Sequence, residues 1–130
     1  MMATTSAAER ALYLVGRLLA RCFYRVSALG LENLPNGGFL LLPNHISWVD
    51  AIVLQLACPR PIRYVIDQEY YHKPILHPLL RVLGCIPINA RYSHPAVREA
   101  TEKIAEGEIV CVFPEGRLER TGTLLRLQRG

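Results

Sequence analysis

Phe39-Leu40-Leu41-Leu42-Pro43-Asn44-His45-Ile46-Ser47-Trp48-Val49-Asp50 carries the chain out of one apolar run and into another, Ala51 to Leu56. Pro43 biases Leu42 toward extended backbone and keeps a helix from running through. The stretch reads as strand, turn and helix, with Asn44 or Ser47 placed to cap the helix. His45 and Asp50 then fall at the strand end and the helix start. Inside one regular helix, residues five apart point about 140° away from each other. The two side chains meet only if His45 lies in the turn and Asp50 in the first turns of the helix. So paired, a neutral imidazole accepts a proton near pH 7. The carboxylate fixes its tautomer and stabilises the imidazolium. A substrate that brings its own hydroxyl needs no Ser or Cys nucleophile. The same spacing suits a helix-capping histidine beside a solvated aspartate, and spacing alone leaves both readings open.

Outward from this stretch, apolar runs alternate with helical patterns. Ile62 to Ile66, Cys85 to Ile88 and Ile109 to Phe113 are short enough for buried strands. Asp50 to Ala57 reads as helix, closed by Pro59 and Pro61. Gln68 to Leu83 is largely helical, interrupted by Pro74 and Pro78, with Gly84 as its stop. Ser93-His94-Pro95 opens a further helix that Gly107 closes. Strands alternating with helices predict an α/β fold, a mainly parallel sheet flanked by helices. In such sheets ligands bind outside the carboxyl ends of the strands. His45, Arg91 and Glu115 to Arg117 each follow a strand and should converge there.

Before the sheet, residues 1–8 are small, polar and expected to fray. From Glu9 to Ser27 the pattern is an amphipathic helix. Arg10, Arg17, Arg21 and Arg25 form one stripe, and Leu12, Val15, Leu19, Cys22, Phe23 and Val26 lie opposite. Such a helix either lies in a membrane interface or packs its apolar face on the domain's own core. The chain divides into this helix, residues 1–28, and one domain over residues 29–130.

Two other stretches carry chemical groups. Leu83-Gly84-Cys85-Ile86-Pro87-Ile88-Asn89-Ala90-Arg91 ends a strand on a guanidinium, suited to a phosphate or simply solvated. Phe113-Pro114-Glu115-Gly116-Arg117 turns tightly with an acid and a base at its tip. It reads as a substrate-binding tip or as an ordinary surface turn.

Composition narrows the classes. With 51% hydrophobic and 20% charged residues, the chain packs a core. A net charge of +4 fits an anionic partner such as a phosphorylated substrate or lipid surface. Cys22, Cys58, Cys85 and Cys111 are widely spaced, which argues against a zinc site or redox dithiol. Buried free thiols in a reducing compartment are expected. No uncharged apolar run reaches the ~18 residues that span a bilayer.

Taken together and in this order, the three stretches resemble the glycerolipid acyltransferases of the lysophosphatidic-acid type, the His-x4-Asp superfamily. The resemblance covers about residues 10–130. It implies transfer of a fatty acyl group from acyl-CoA or acyl carrier protein to the free hydroxyl of a lysophospholipid such as 1-acylglycerol-3-phosphate. It implies His45 as general base, Asp50 as its orienter, and Arg91, Glu115, Gly116 and Arg117 as the acceptor-binding set. It implies no metal and no cofactor, no nucleic-acid partner, and a peripheral place on the cytoplasmic face of the membrane. Three departures stand out. Many relatives place Thr between the glycine and arginine of the third motif, whereas Arg117 follows Gly116 directly. Arg117 to Gly122 looks more like the branch fused to acyl-carrier-protein synthetases, which reacylates lysophosphatidylethanolamine. Asp67-Gln68-Glu69 stands where relatives often carry a lysine. Family domains also continue past the equivalent of Gly130 into a fourth motif, so the resemblance implies a C-terminally truncated, incomplete fold. A lipid-surface binding module without catalysis is the competing class. A phosphate-ester hydrolase is weaker, for want of a second acid cluster to hold metal.

Overall fold

The computed structural model describes residues 6–44 and 49–114. Helix α1 spans Ala7–Phe23, strand β1 Phe39–Leu41, α2 Asp50–Ala57 and β2 Ile62–Asp67. Short helices α3 (Gln68–Tyr71) and α4 (His77–Val82) precede β3 (Ile86–Ile88); α5 (His94–Ala105) precedes β4 (Ile109–Cys111). The four strands form one sheet in the order β1-β4-β2-β3. Every pairing is parallel, with Phe39 opposite Ile109, Ile62 opposite Ile109, and Val65 opposite Ile86. All four carboxyl ends therefore share one rim. The fold class read from the sequence holds.

Helices cover both faces of the sheet. On one, Ile86, Val110 and Ala96 of α5 pack with Val65, Ile88, Ala100 and Ile104. On the other, Ile62, Tyr64, Ile109 and Cys111 pack with Ala51 and Leu54 of α2 and Leu80 of α4. Ile62, Ile86, Ile109, Val110 and Cys111 are fully buried, and all but Ile86 of β3 lie on the two central strands, β4 and β2. At the amino-terminal edge Arg60 donates to the carbonyls of Pro35, Gly37 and Gly107 at 3.0, 2.9 and 2.6 Å. This binds the turn before β1 to the turn before β4. A Cβ on Gly38 would fall 2.0 Å from the Ile104 carbonyl oxygen, so only glycine fits that approach.

Several expectations are corrected. Ser6 is ordered into the helix start, accepting from the Glu9 amide at 3.2 Å and capping α1. Helix α1 ends at Phe23, so Arg25 is not part of its arginine stripe. Tyr24 is extended, in keeping with the low helix propensity of Cys22-Phe23-Tyr24. Asn44 does not cap α2; Val49 occupies the N-cap position without a side-chain bond, and Ser47 lies outside the described residues. Pro78 does not interrupt a helix but sits in the first turn of α4, where its missing N–H costs nothing. Gly84, at φ 64°, ends that segment as read. Cys58, Cys85 and Cys111 are buried, but Cys22 is exposed on α1. Burial pushes the Cys85 thiol up to about 11 and the Cys111 thiol to about 12, so both stay protonated at neutral pH.

Helix α1 does not pack its apolar stripe on the domain's own core. It turns inward the face that carries Glu9 and Tyr13, not the apolar stripe. Glu9 is buried and pairs with Arg63 of β2, which also pairs with buried Glu108. The Tyr13 hydroxyl donates to the Ile62 carbonyl at 3.4 Å. Leu14, Val15, Leu18, Leu19 and Phe23 are left exposed, Phe23 by 81%. The Glu9–Arg63 pair and the Tyr13 bond lie on the face of α1 that meets the sheet.

Candidate active site

Parallel strands deliver the motif-bearing segments to one end of the sheet. Beyond β1 the chain passes through Leu42, Pro43 and Asn44, and it returns at Val49 to open α2 with Asp50. Asp50 is half-buried in the first helical turn. There the amide dipoles of the helix start favour a negative group. Beyond β4, pairing continues one step, with the Val112 amide donating to the Leu41 carbonyl at 3.0 Å. Phe113 and Pro114 then reach the same rim. His45, Glu115, Gly116 and Arg117 lie outside the described residues, so the His45–Asp50 contact has no distance here. What is placed is the frame on either side of His45, and the strand end that precedes Glu115.

Arg91 occupies the other edge of the rim. Asn89, Ala90, Arg91 and Tyr92 make a tight turn after β3. The Tyr92 amide donates to the Asn89 carbonyl at 3.0 Å, and the Arg91 amide donates to Asn89 Oδ1 at 2.8 Å. The Arg91 side chain is exposed and makes no hydrogen bond or ion pair with the described residues. Strands lie about 4.8 Å apart, so the β1 and β3 ends stand roughly 14 Å apart along the rim. Asp67 ends β2 between them; one carboxylate oxygen accepts from the Glu69 amide at 2.8 Å and caps α3.

A mainly apolar groove of about 1540 Å³ opens beside this rim. Its walls include Tyr13 and Ala20 of α1, Ile52 of α2, Tyr64 of β2, Leu79 of α4, and Phe113. It exceeds the ~300–1,000 Å³ of usual small-molecule sites. Asp67 and Ser93 add polar groups to its lining, and Arg10 and Arg17 add positive charge. Among the described residues no group of three or more His, Cys, Asp or Glu side chains is placed to hold a metal ion.

A parallel α/β sheet with its polar groups on one rim and an apolar groove beside them defines the class of this protein. The acyltransferase family model matches residues 25–130. The chain belongs to that family. It is similar to the 1-acyl-sn-glycerol-3-phosphate acyltransferase of Bacillus subtilis (strain 168), at 31% identity over 108 residues, covering 81% of this chain and 53% of the relative. A chloroplastic 1-acyl-sn-glycerol-3-phosphate acyltransferase of Arabidopsis thaliana is 26% identical over 113 residues, 83% of this chain and 32% of the relative. The lyso-ornithine lipid O-acyltransferase of Rhizobium meliloti (strain 1021) is 29% identical over 123 residues, 86% of this chain and 41% of the relative. The chain thus spans about half or less of the length of these relatives. No solved structure matches.

Sequence reasoning missed two elements of this frame. Arg63 sits inside the run Ile62-Arg63-Tyr64-Val65-Ile66, and a charge within a buried strand is a visible signal of a buried partner. Tyr64, which bonds to Ala51 of α2 and stacks on Phe113, gave no signal beyond strand propensity.

Proposed function

We propose that this chain transfers a fatty acyl group from acyl-CoA or acyl carrier protein to the free hydroxyl of a lysophospholipid. His45 takes the hydroxyl proton as general base, and Asp50 orients the imidazole and stabilises its protonated form. The freed oxygen attacks the thioester carbonyl, and backbone amides near the start of α2 suit the developing oxyanion. Collapse of the tetrahedral intermediate expels the thiolate, which takes the proton from the imidazolium. Arg91 and Arg117 bind the acceptor's phosphate, with Glu115 and Gly116 shaping the turn around it. No metal, cofactor or covalent enzyme intermediate is needed, because the thioester is already activated. The observation that carries this reading is the shared rim. The segments on either side of His45, the turn that carries Arg91, and Phe113-Pro114 lie at the carboxyl ends of parallel strands, beside a groove suited to an acyl chain.

The acceptor's head group admits a second reading. Asp67 lines the groove where a purely phosphate-bearing acceptor would meet repulsion. This favours a lysolipid that also carries an amine, such as lysophosphatidylethanolamine. Helix α1 suits a peripheral place on the cytoplasmic membrane face. Its exposed Leu14, Leu18 and Phe23 can enter a lipid interface while Arg10 and Arg21 meet anionic head groups. No helix among the described residues is long and apolar enough to cross a membrane. The test is an acyl-transfer assay in phospholipid micelles, pairing acyl-CoA or acyl carrier protein with lysophosphatidic acid or lysophosphatidylethanolamine. Transfer to at least one acceptor is expected. Binding to the micelles with no turnover by any pair would instead identify a lipid-surface module.

A further inference from the structure

We infer that Tyr64 is a positioning residue for the acyl-transfer centre: one buried side chain holds both the helix that begins with Asp50 and the strand end that leads into Glu115. The inference rests on the reading of His45 and Asp50 given above.

Tyr64 lies at the middle of the sheet, on β2 opposite Cys111 of β4. Its hydroxyl donates to the carbonyl of Ala51 at 2.7 Å. Ala51 follows Asp50 directly, so this bond fixes the turn of helix from which the carboxylate projects. Its ring stacks on Phe113, with centroids 6.4 Å apart and planes at 11°. Phe113 is followed by Pro114 and then Glu115. Tyr64 is 9% exposed and lines the groove. Burial holds its hydroxyl well above the usual phenol range, so it stays a donor at any working pH.

Helix α2 has particular need of such a tie. It is eight residues long, below the length at which isolated helices are stable. Val49 gives its amino end no side-chain cap. Its carboxyl end is held by Gln55, which accepts from the Ile62 amide at 2.9 Å and donates to the Arg60 carbonyl at 3.1 Å. Tyr64 supplies the matching tie at the amino end. Loss of the Tyr64 bond loosens the first turn of α2, next to Asp50. Misplacing a catalytic group by about 1 Å can cost on the order of 100-fold in rate.

The test is Tyr64→Phe, which keeps the ring and its stacking and removes only the hydroxyl, assayed beside Asp50→Asn and the double variant. Tyr64→Phe should lower kcat about 10- to 100-fold with KM for the acyl donor unchanged. The acid limb of its pH–rate profile should move to lower pH, because a looser carboxylate stabilises the imidazolium less. In the Asp50→Asn background the hydroxyl should matter little, since the carboxylate it positions is gone. A lower melting temperature with wild-type kcat and pH profile marks a merely structural bond and overturns the inference. So do losses that multiply in the double variant. Asp50→Asn at full rate overturns the underlying catalytic reading instead; Asp50→Asn impaired with Tyr64→Phe at full rate overturns Tyr64 alone.

Discussion

Arg63→Ala is expected to lower stability by about 3–5 kcal/mol, the cost of breaking a buried ion pair from one side. Arg63 is 7% exposed, and its guanidinium donates to Glu108, to Glu9 and, at 2.9 Å, to the Leu83 carbonyl. Burial works against its charge, but the hydrogen bonds to Glu108 and Glu9 outweigh it and raise its pKa above the ordinary value. Truncation leaves two buried carboxylates without that partner. Lys103, 3.4 Å from Glu108, compensates one of them in part. Glu9 has no such second cation among the described residues, so α1 should come away from the sheet. Urea unfolding gives the stability, and limited proteolysis between residues 24 and 38 reports the release of α1. Wild-type stability and an uncut linker would mean that the cluster does not hold the helix.

Asp50→Asn should reduce kcat about 10²- to 10⁴-fold while leaving the fold intact. The amide keeps the shape of the carboxylate but not its charge, and it also permits the wrong imidazole tautomer. Acceptor KM should change little, since Asp50 sits at the opposite end of the rim from Arg91. Steady-state kinetics with the acceptor varied separates the two. A raised KM at full kcat would move Asp50 from the proton transfer to acceptor binding.

Much of the frame is legible in the sequence, for identifiable reasons. Phe39–Leu41, Ile62–Asp67, Ile86–Ile88 and Ile109–Cys111 are apolar runs bounded by Pro, Gly or polar turns, and a strand buried on both faces reads that way. Parallel direction follows from the helices between them. Strand order is not legible: β4 inserts between β1 and β2 through contacts about 70 and 45 residues apart, which no local pattern encodes. Which face of α1 meets the sheet is not legible, because apolar periodicity ignores ions. One ionic partner, Glu9, finds Arg63 across 54 positions. The Ser6-to-Glu9 cap was present in the sequence as a Ser-x-x-Glu pattern but lay in a segment read as frayed. Arg91 follows the end of β3, and Asp50 opens the helix after β1. Tyr64 did not announce itself, because a tyrosine in a strand is ordinary and its role depends on what faces it.

The most direct measurement is acyl transfer by the protein carrying His45→Ala, with acyl donor and lysophospholipid both saturating. Loss of at least about 10²-fold in kcat, with folding and micelle binding unchanged, is the predicted result. Turnover at the wild-type rate would remove the imidazole from the chemistry and contradict the account.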